Sequence, residues 1–403
     1  MEVWVAAALF LIICAYFVLL VAGLRRRNVG IWWHDYRRHL RAQAKLSPHK
    51  RPTHVMFCFV DHFEPRWGKA DYAAEVRRVA RWVQGYPKLC RGHRDADGRY
   101  PQHSFFFPSE EYRPEHIDSL AGLCAAGFGE IEVHLHHDND TDQGLRANLG
   151  EFLTRLVDHH DALPLDTATG KPLWSFIHGN WALDNSRPDG RWCGVNNELQ
   201  ILRDMGCYAD FTLPSAPSDT QTSTVNSIYY AFDNPAKPKS HDAGEPVRVG
   251  GKQQGDLMII QGPLSLRWKF RGLMPMPSIE NGDIRADNPP SAARVDAWIK
   301  TGVHVTGKPE WVFVKVHTHG TQDRDMEALL GTPVDRMFEY LEQRYNDGKR
   351  HHLHYVTARE MYNIARAAEA GKTGDPGKYR DFIIPRPGYR ARESVAVAAV
   401  QSC

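Results

Sequence analysis

The chain contains no Cys-x-x-Cys pair, and its seven cysteines (Cys14, Cys58, Cys90, Cys124, Cys193, Cys207 and Cys403) are odd in number. Both facts weigh against a disulfide framework and fit a reducing compartment better. Net charge is nearly absent as well: 50 basic and 48 acidic residues leave +2. So small an excess gives no electrostatic case for nucleic acid as a partner. No internal repeat is evident.

Charge is missing altogether from "VWVAAALFLIICAYFVLLVAGL", residues 3–24. That is enough helix to cross a hydrocarbon core of about 30 Å. No Lys or Arg precedes it, and the apolar run is too long for a signal peptide, so it reads as a single-pass anchor. From Arg25 to Arg51 there are nine Lys/Arg and one acidic residue, Asp35. The positive-inside rule then places the rest of the chain on the cytoplasmic side of an inner membrane. Residues 25–52 read as a basic juxtamembrane connector. Within it, "IWWHDYRRHLRAQAKL" suits an interfacial helix with Trp32 and Trp33 at headgroup level, ended by Pro48 and Pro52.

What is present is an ordinary globular composition, 42% hydrophobic and 24% charged, over 403 residues. That is ample for a core. Eleven Trp and 21 His are many, and both types suit carbohydrate or metal sites.

From residue 53 the pattern alternates. Strands are expected at "HVMFCFVD" (54–61), "HSFFFP" (103–108), "EIEVHLH" (130–136), "LWSFIHG" (173–179), "DLMIIQGP" (256–263), "EWVFVKVHTHG" (310–320) and "HLHYVT" (352–357). Helical spacing marks 70–86, 114–129, 144–160 and 196–210. Thr332 and Pro333 open another helix, and "TARE" (357–360) has capping-box spacing before a last helix closed by Gly371. Such alternation implies an α/β fold with a mostly parallel sheet and function at the C-terminal ends of its strands. Residues 215–300, rich in Pro, Ser, Asn and Gly, read as an irregular insertion, and 372–403 as a poorly ordered tail.

Polar clusters stand at strand ends: "VDHFEP" (60–65), "HLHHDND" (134–140), "IHGNWALDNS" (177–186) and "VHTHG" (316–320). On an extended chain His134 and His136 point together and His137 away. If the chain turns helical at His134, its same-side partner is Asp138. Either geometry offers a pair of ligands. Zinc in a hydrolase wants three protein groups and an open position, and Asp61 or His62 is the obvious further supplier. Trp181 and Trp192 are candidates for stacking on sugar rings. Glu64 suits a supporting role, or that of base if Asp61 binds metal. Asp184 and Asn185 line a cleft or cap a helix. "HHLH" (351–354) opens a strand and reads as structural.

In order and spacing, "FCFVDHFEP", "GEIEVHLHHDND", "FIHGNWALDN" and "VFVKVHTHG" resemble the motifs of the polysaccharide deacetylase family, the chitooligosaccharide deacetylase-like carbohydrate esterases. The likeness covers roughly residues 53–365. It implies a distorted (β/α) barrel and metal-dependent removal of an N- or O-acyl group from a sugar. It puts Asp61 at the catalytic base, and His317 or His319 at the general acid. The implied metal ligands are His62 and His134, with Asp138 or His136. The third motif lacks its Arg, and Ile177 or His178 stands there, which leaves His178 as a substitute; with Trp181 and Asp184 it is expected to bind substrate. Implied partners are a carbohydrate or lipid-linked sugar, membrane lipid and a polysaccharide synthesis complex; the implied cofactor is a divalent metal, zinc first. The alternatives are a glycosidase using Asp61 with Glu64 or Asp184, and a non-catalytic glycan binder.

Overall fold

A computed structural model describes residues 2–46, 51–272 and 274–390. It begins with helix α1 (Glu2–Arg26), long and apolar enough to cross a membrane. Asn28, left-handed at φ 55°, breaks the chain before α2 (Val29–Lys45). Asparagine tolerates that conformation. α2 does not present both tryptophans outward as expected. Trp32 is fully buried with Val29 and Tyr36 against Ala216, Val225 and Leu264, and only Trp33 is exposed. The connector is therefore docked on the protein body.

That body runs β1 (Thr53–His62), α3 (Tyr72–Cys90), β2 (His103–Pro108), α4 (Pro114–Ala125), β3 (Gly129–Leu135), α5 (Asp142–His160), β4 (Trp174–His178), α6 (Glu198–Asp204) and β5 (Cys207–Asp210). The strands are near-continuous apolar runs because helices cover their faces. Asp71 caps α3 by accepting the Ala74 N–H at 2.8 Å. Such a cap is worth about 1 kcal/mol. Residues 211–301 are more regular than their composition implies. They carry β6 (Ile228–Ala231), β7 (Gly244–Pro246), β8 (Leu257–Ile260), β9 (Ser265–Arg271), β10 (Met274–Glu280) and α7 (Ala292–Thr301). Then come β11 (Trp311–Thr318), α8 (Asp323–Leu329), α9 (Thr332–Tyr345), β12 (His351–Val356) and α10 (Ala358–Glu369).

The main sheet has the order β11-β1-β2-β3-β4-β5-β8-β6-β7. It is parallel except at β6, which runs against both β8 and β7. β11 pairs with β1 from His54 to Asp61. β12 and β2 share β1's other pairing, β12 over Thr53–Cys58 and β2 over Phe59–His62. The fold is the expected α/β one with a parallel-dominated sheet; among the described residues that sheet does not close, where a distorted (β/α) barrel was expected.

Alternation along each strand divides the core into two layers. Phe57, Phe59 and Phe63 pack with α3, α4, α5 and α9; Met56, Cys58 and Val60 face the other way, toward α10. α10 is buried along its whole length and opens with the expected Thr357/Glu360 capping box. Its Arg359 is fixed to Glu130 of β3 at 2.8 Å. The expected disordered tail is ordered as far as 390: Arg380 pairs with Asp95, Asp97 and Glu360, and Tyr389 is buried. Residues 391–403 lie outside the described residues.

β9 and β10 form a separate hairpin that leans on α1. Tyr16 donates to the Pro275 carbonyl, and Arg27 Nη1 to that of Pro277 at 2.8 Å. The hairpin exposes Trp268, Phe270 and Met274.

Candidate metal centre

Where β1 ends, strand parity decides which side chain meets which. His62 and Glu64, two residues apart, face the α10 side together with His134 of β3 and the His317–His319 end of β11. The His62 ring lies 4.8 Å from that of His134 and 4.6 Å from that of His319. The His134 and His136 rings are 4.6 Å apart. Glu64 sits among them, its Oε1 3.3 Å from His134 Nε2 and 3.5 Å from His136 Nε2. Donor atoms of His62, Glu64 and His319 fall within 4.8 Å of one another, and so do those of Glu64, His134 and His136. Glu64 joins the two triads.

The hydrogen bonds fix which nitrogens are free. His134 Nδ1–H donates to the Ile177 carbonyl at 2.6 Å, so its Nε2 lone pair looks at Glu64. His136 Nδ1 is held by Glu110 at 2.6 Å, which turns its Nε2 the same way. Gly179 must lack a side chain here, because a Cβ would press into the His136 ring and sit 2.7 Å from the Leu135 carbonyl. Lone pairs facing a carboxylate repel unless a proton or cation lies between them. Glu64 Oε2 is buried and has no hydrogen-bond partner among the described residues.

Electrostatics agree. Burial, then the charge of His136, push the His134 pKa down to about 3. Burial, then His319 and His134, hold His62 well below its ordinary value. Burial disfavours protonated His136, but the Glu110 carboxylate outweighs it and raises the pKa. Burial raises the Glu64 carboxyl, against the pull of His319 and His136. His62 and His134, held neutral beside a buried carboxylate, are donors of the kind that zinc or a similar divalent ion takes.

Several expected site residues lie elsewhere. Asp61 alternates to the opposite face of β1. Fully buried, it accepts from the Gly320 N–H at 2.5 Å and meets His103 Nε2 at 2.9 Å. It cannot serve the cluster as base from there. Asp138 accepts the Trp192 N–H at 2.6 Å, away from the histidines, so His136 is the residue beside His134. His178 also points to the opposite face, against His137 and Glu198. Asp184 is buried and tied to Ser240 and His241, where it braces residues 240–241. The Trp192 ring stacks under Arg187.

The remaining candidates line a cleft of about 320 Å³ beside the cluster: Trp181, His317 and His319, joined by Ser215, Asn281, Asp283 and Arg285. The Trp181 ring is 5.9 Å from that of His319. His317 Nε2 is 4.0 Å from Asp283 Oδ1, and burial, then Lys315, keep His317 neutral well below its ordinary pKa. Burial raises the Asp283 carboxyl, against Arg285. Lys315 Nζ donates to the carbonyls of Phe211 and Leu213 at 2.7 and 2.6 Å, pinning the cleft wall at Pro214. Glu110, Asp283, Arg285 and Lys315 were not anticipated. Glu110 follows β2, where strand-end logic applied to "PSEEY" would have found it. Asp283 reaches His317 only through a bridge between distant segments, which leaves no local sequence signal.

No protein-family model matches this chain, and no curated protein matches it either.

Proposed function

We propose that the protein is a membrane-anchored, metal-dependent hydrolase that removes an acyl group from a sugar, a divergent relative of the polysaccharide deacetylases with a related barrel-like sheet. The observation that carries this reading is Glu64, flanked by His62, His134, His136 and His319 beside an open cleft. The donor set fits a divalent ion: free Nε2 lone pairs and a carboxylate with an orphaned buried oxygen.

Glu64, His134 and His136, whose donor atoms lie within 4.8 Å of one another, would hold the ion and leave a position open, with His62 beside them. Bound there, it supplies Lewis acidity toward an acyl carbonyl and a more acidic water. The protein's own groups do the rest. Asp283, paired with His317, takes Asp61's expected place as proton acceptor. His319 faces the cleft as proton donor to the departing amine or alcohol. Trp181 offers a flat apolar face to a sugar ring, and Ser215, Asn281 and Arg285 offer hydrogen bonds to hydroxyls.

A lipid-linked sugar is the favoured substrate. The hairpin that exposes Trp268 and Phe270 lies along α1, and β10 runs directly into the cleft residues Asn281 and Asp283. The basic connector favours a cytoplasmic body and anionic lipid. The carboxylate-pair glycosidase loses support, since neither Asp61 nor Asp184 faces the cleft.

The test is hydrolysis of N-acetylated amino-sugar glycosides by the full chain in detergent, with and without His134→Ala. Because partners that merely orient ligands are worth about 10–100-fold, loss of a ligand should cost at least roughly 100-fold in activity. Bound metal with no hydrolysis of any acetylated sugar, lipid-linked ones included, would leave the glycan-binding reading in its place.

A further inference from the structure

We propose that His137, His178, Cys193 and Glu198 form a second, structural zinc site on the face of the sheet opposite the Glu64 cluster. All four side chains are buried, and one donor atom from each lies within 4.8 Å of the others. His137 Nε2 is 2.8 Å from His178 Nε2 and 3.1 Å from Glu198 Oε1. His178 Nε2 is 3.4 Å from the same oxygen, and Cys193 Sγ is 3.6 Å from Glu198 Oε2. A tetrahedral zinc with bonds of about 2.0 Å to nitrogen and 2.3 Å to sulfur sets its donors roughly 3.2–3.8 Å apart. Little movement separates this arrangement from coordination.

The outer partners point the same way. His178 Nδ1–H donates to the Gly179 carbonyl at 2.5 Å, and His137 Nδ1 is 3.1 Å from Asp140 Oδ2. Both rings are thereby turned to present Nε2, as ligating histidines are by their second hydrogen bond. Two Nε2 lone pairs at 2.8 Å require something positive between them. Glu198 Oε2 accepts the Asp184 N–H at 2.6 Å, leaving Oε1 for the histidines. The Val195 N–H points at Cys193 Sγ at 3.5 Å, across Gly194 at φ +98°. A side chain at 194 would strike the Asp140 backbone. One thiolate, one carboxylate and two neutral imidazoles balance a divalent ion, so the buried complex carries no net charge.

The site is closed by four buried protein ligands, which makes it structural. It gathers the ends of β3 and β4, the 179–197 loop and the start of α6. That loop holds Asn180, Trp181, Asp184, Asn185 and Trp192 in left-handed conformations, which the two tryptophans adopt only under constraint. It also carries Trp181 into the cleft. His137 adjoins His136, and His178 adjoins Ile177, whose carbonyl orients His134. The rival occupant is a proton: Glu198 and Asp140 raise the His137 pKa against burial.

Cobalt separates the two, because the Glu64 cluster contains no sulfur. The full chain in detergent, stripped and reloaded with Co²⁺, should show a near-ultraviolet thiolate-to-cobalt charge-transfer band. The band should survive His134→Ala and vanish in Cys193→Ser. Zinc content should fall by one equivalent in Cys193→Ser and by a different equivalent in His134→Ala. A wild-type chain without the band overturns the site whether or not the variant folds. A band that persists in Cys193→Ser overturns it as well. Band present but no metal at the Glu64 cluster would support this site and sink the hydrolase reading, so the two stand or fall separately.

Discussion

His136 and His137 are neighbours in sequence and belong to different halves of the molecule. On the α10 side, His62, Glu64, His134 and His319 surround an orphaned carboxylate oxygen beside an open cleft. On the other side, Asp61, His137, His178 and Glu198 are sealed beneath loops and helices. The chemical groups are nearly the same. What differs is access: one group of polar side chains meets a cleft, the other meets only its own partners. Burial under closing ligands, away from the cleft, is a structural arrangement, and burial with a carboxylate oxygen left over beside a cleft is a functional one.

The sharpest way to break this contrast is Glu64→Gln. Activity should fall at least roughly 100-fold, as for loss of a metal ligand. The apo protein should melt no lower, because the change removes the charge of a buried carboxylate whose Oε2 has no hydrogen-bond partner among the described residues. A large drop in apo melting temperature with activity retained would reverse the assignment. Asp61→Asn should behave oppositely. Losing charged acceptors for Gly320 and His103 should cost about 1.5–3 kcal/mol per bond in a denaturant titration, while the folded protein keeps kcat within a few-fold. Abolished turnover at unchanged stability would restore Asp61 as base. The smallest effect belongs to the opposite end of the sheet. Burial disfavours ionised Asp97, but hydrogen bonds from His354 and Arg380 prevail and hold its pKa well below 3.8. A depressed carboxylate stabilises fully above its unfolded pKa and loses that contribution as pH falls through the folded value. Asp97→Asn should therefore be less stable than wild type at neutral pH, and the gap should close below 3.8. A gap independent of pH would show that the pair contributes nothing electrostatic.

The strand and helix order to β4 was legible because each strand is an apolar run of its own. The strand-end histidines were legible because only a few positions there are polar. Asp61 was misplaced by following motif order where parity was available: His62 and Glu64 lie two apart, and Asp61 must face away from both. Residues 211–301 were illegible for another reason. β6 pairs with β8 across a long excursion, and Asp283 meets His317 across more than a strand's length of unrelated chain, so no local period records either contact. The burial of Trp32 was hidden in the same way, since its partners come from that same stretch.

The hairpin along α1 has a mechanical consequence. Tyr16 lies ten residues before Arg26, about 15 Å along the helix axis. The hairpin is therefore bound to α1 well above its exit, while α2 is locked to the body by Trp32. A lone helix is a swivel; a helix keyed at two heights is a spindle that turns only with its load. With α1 in a bilayer, the cleft would ride at one fixed height and tilt. Its encounters would then be a search in two dimensions with orientation already settled.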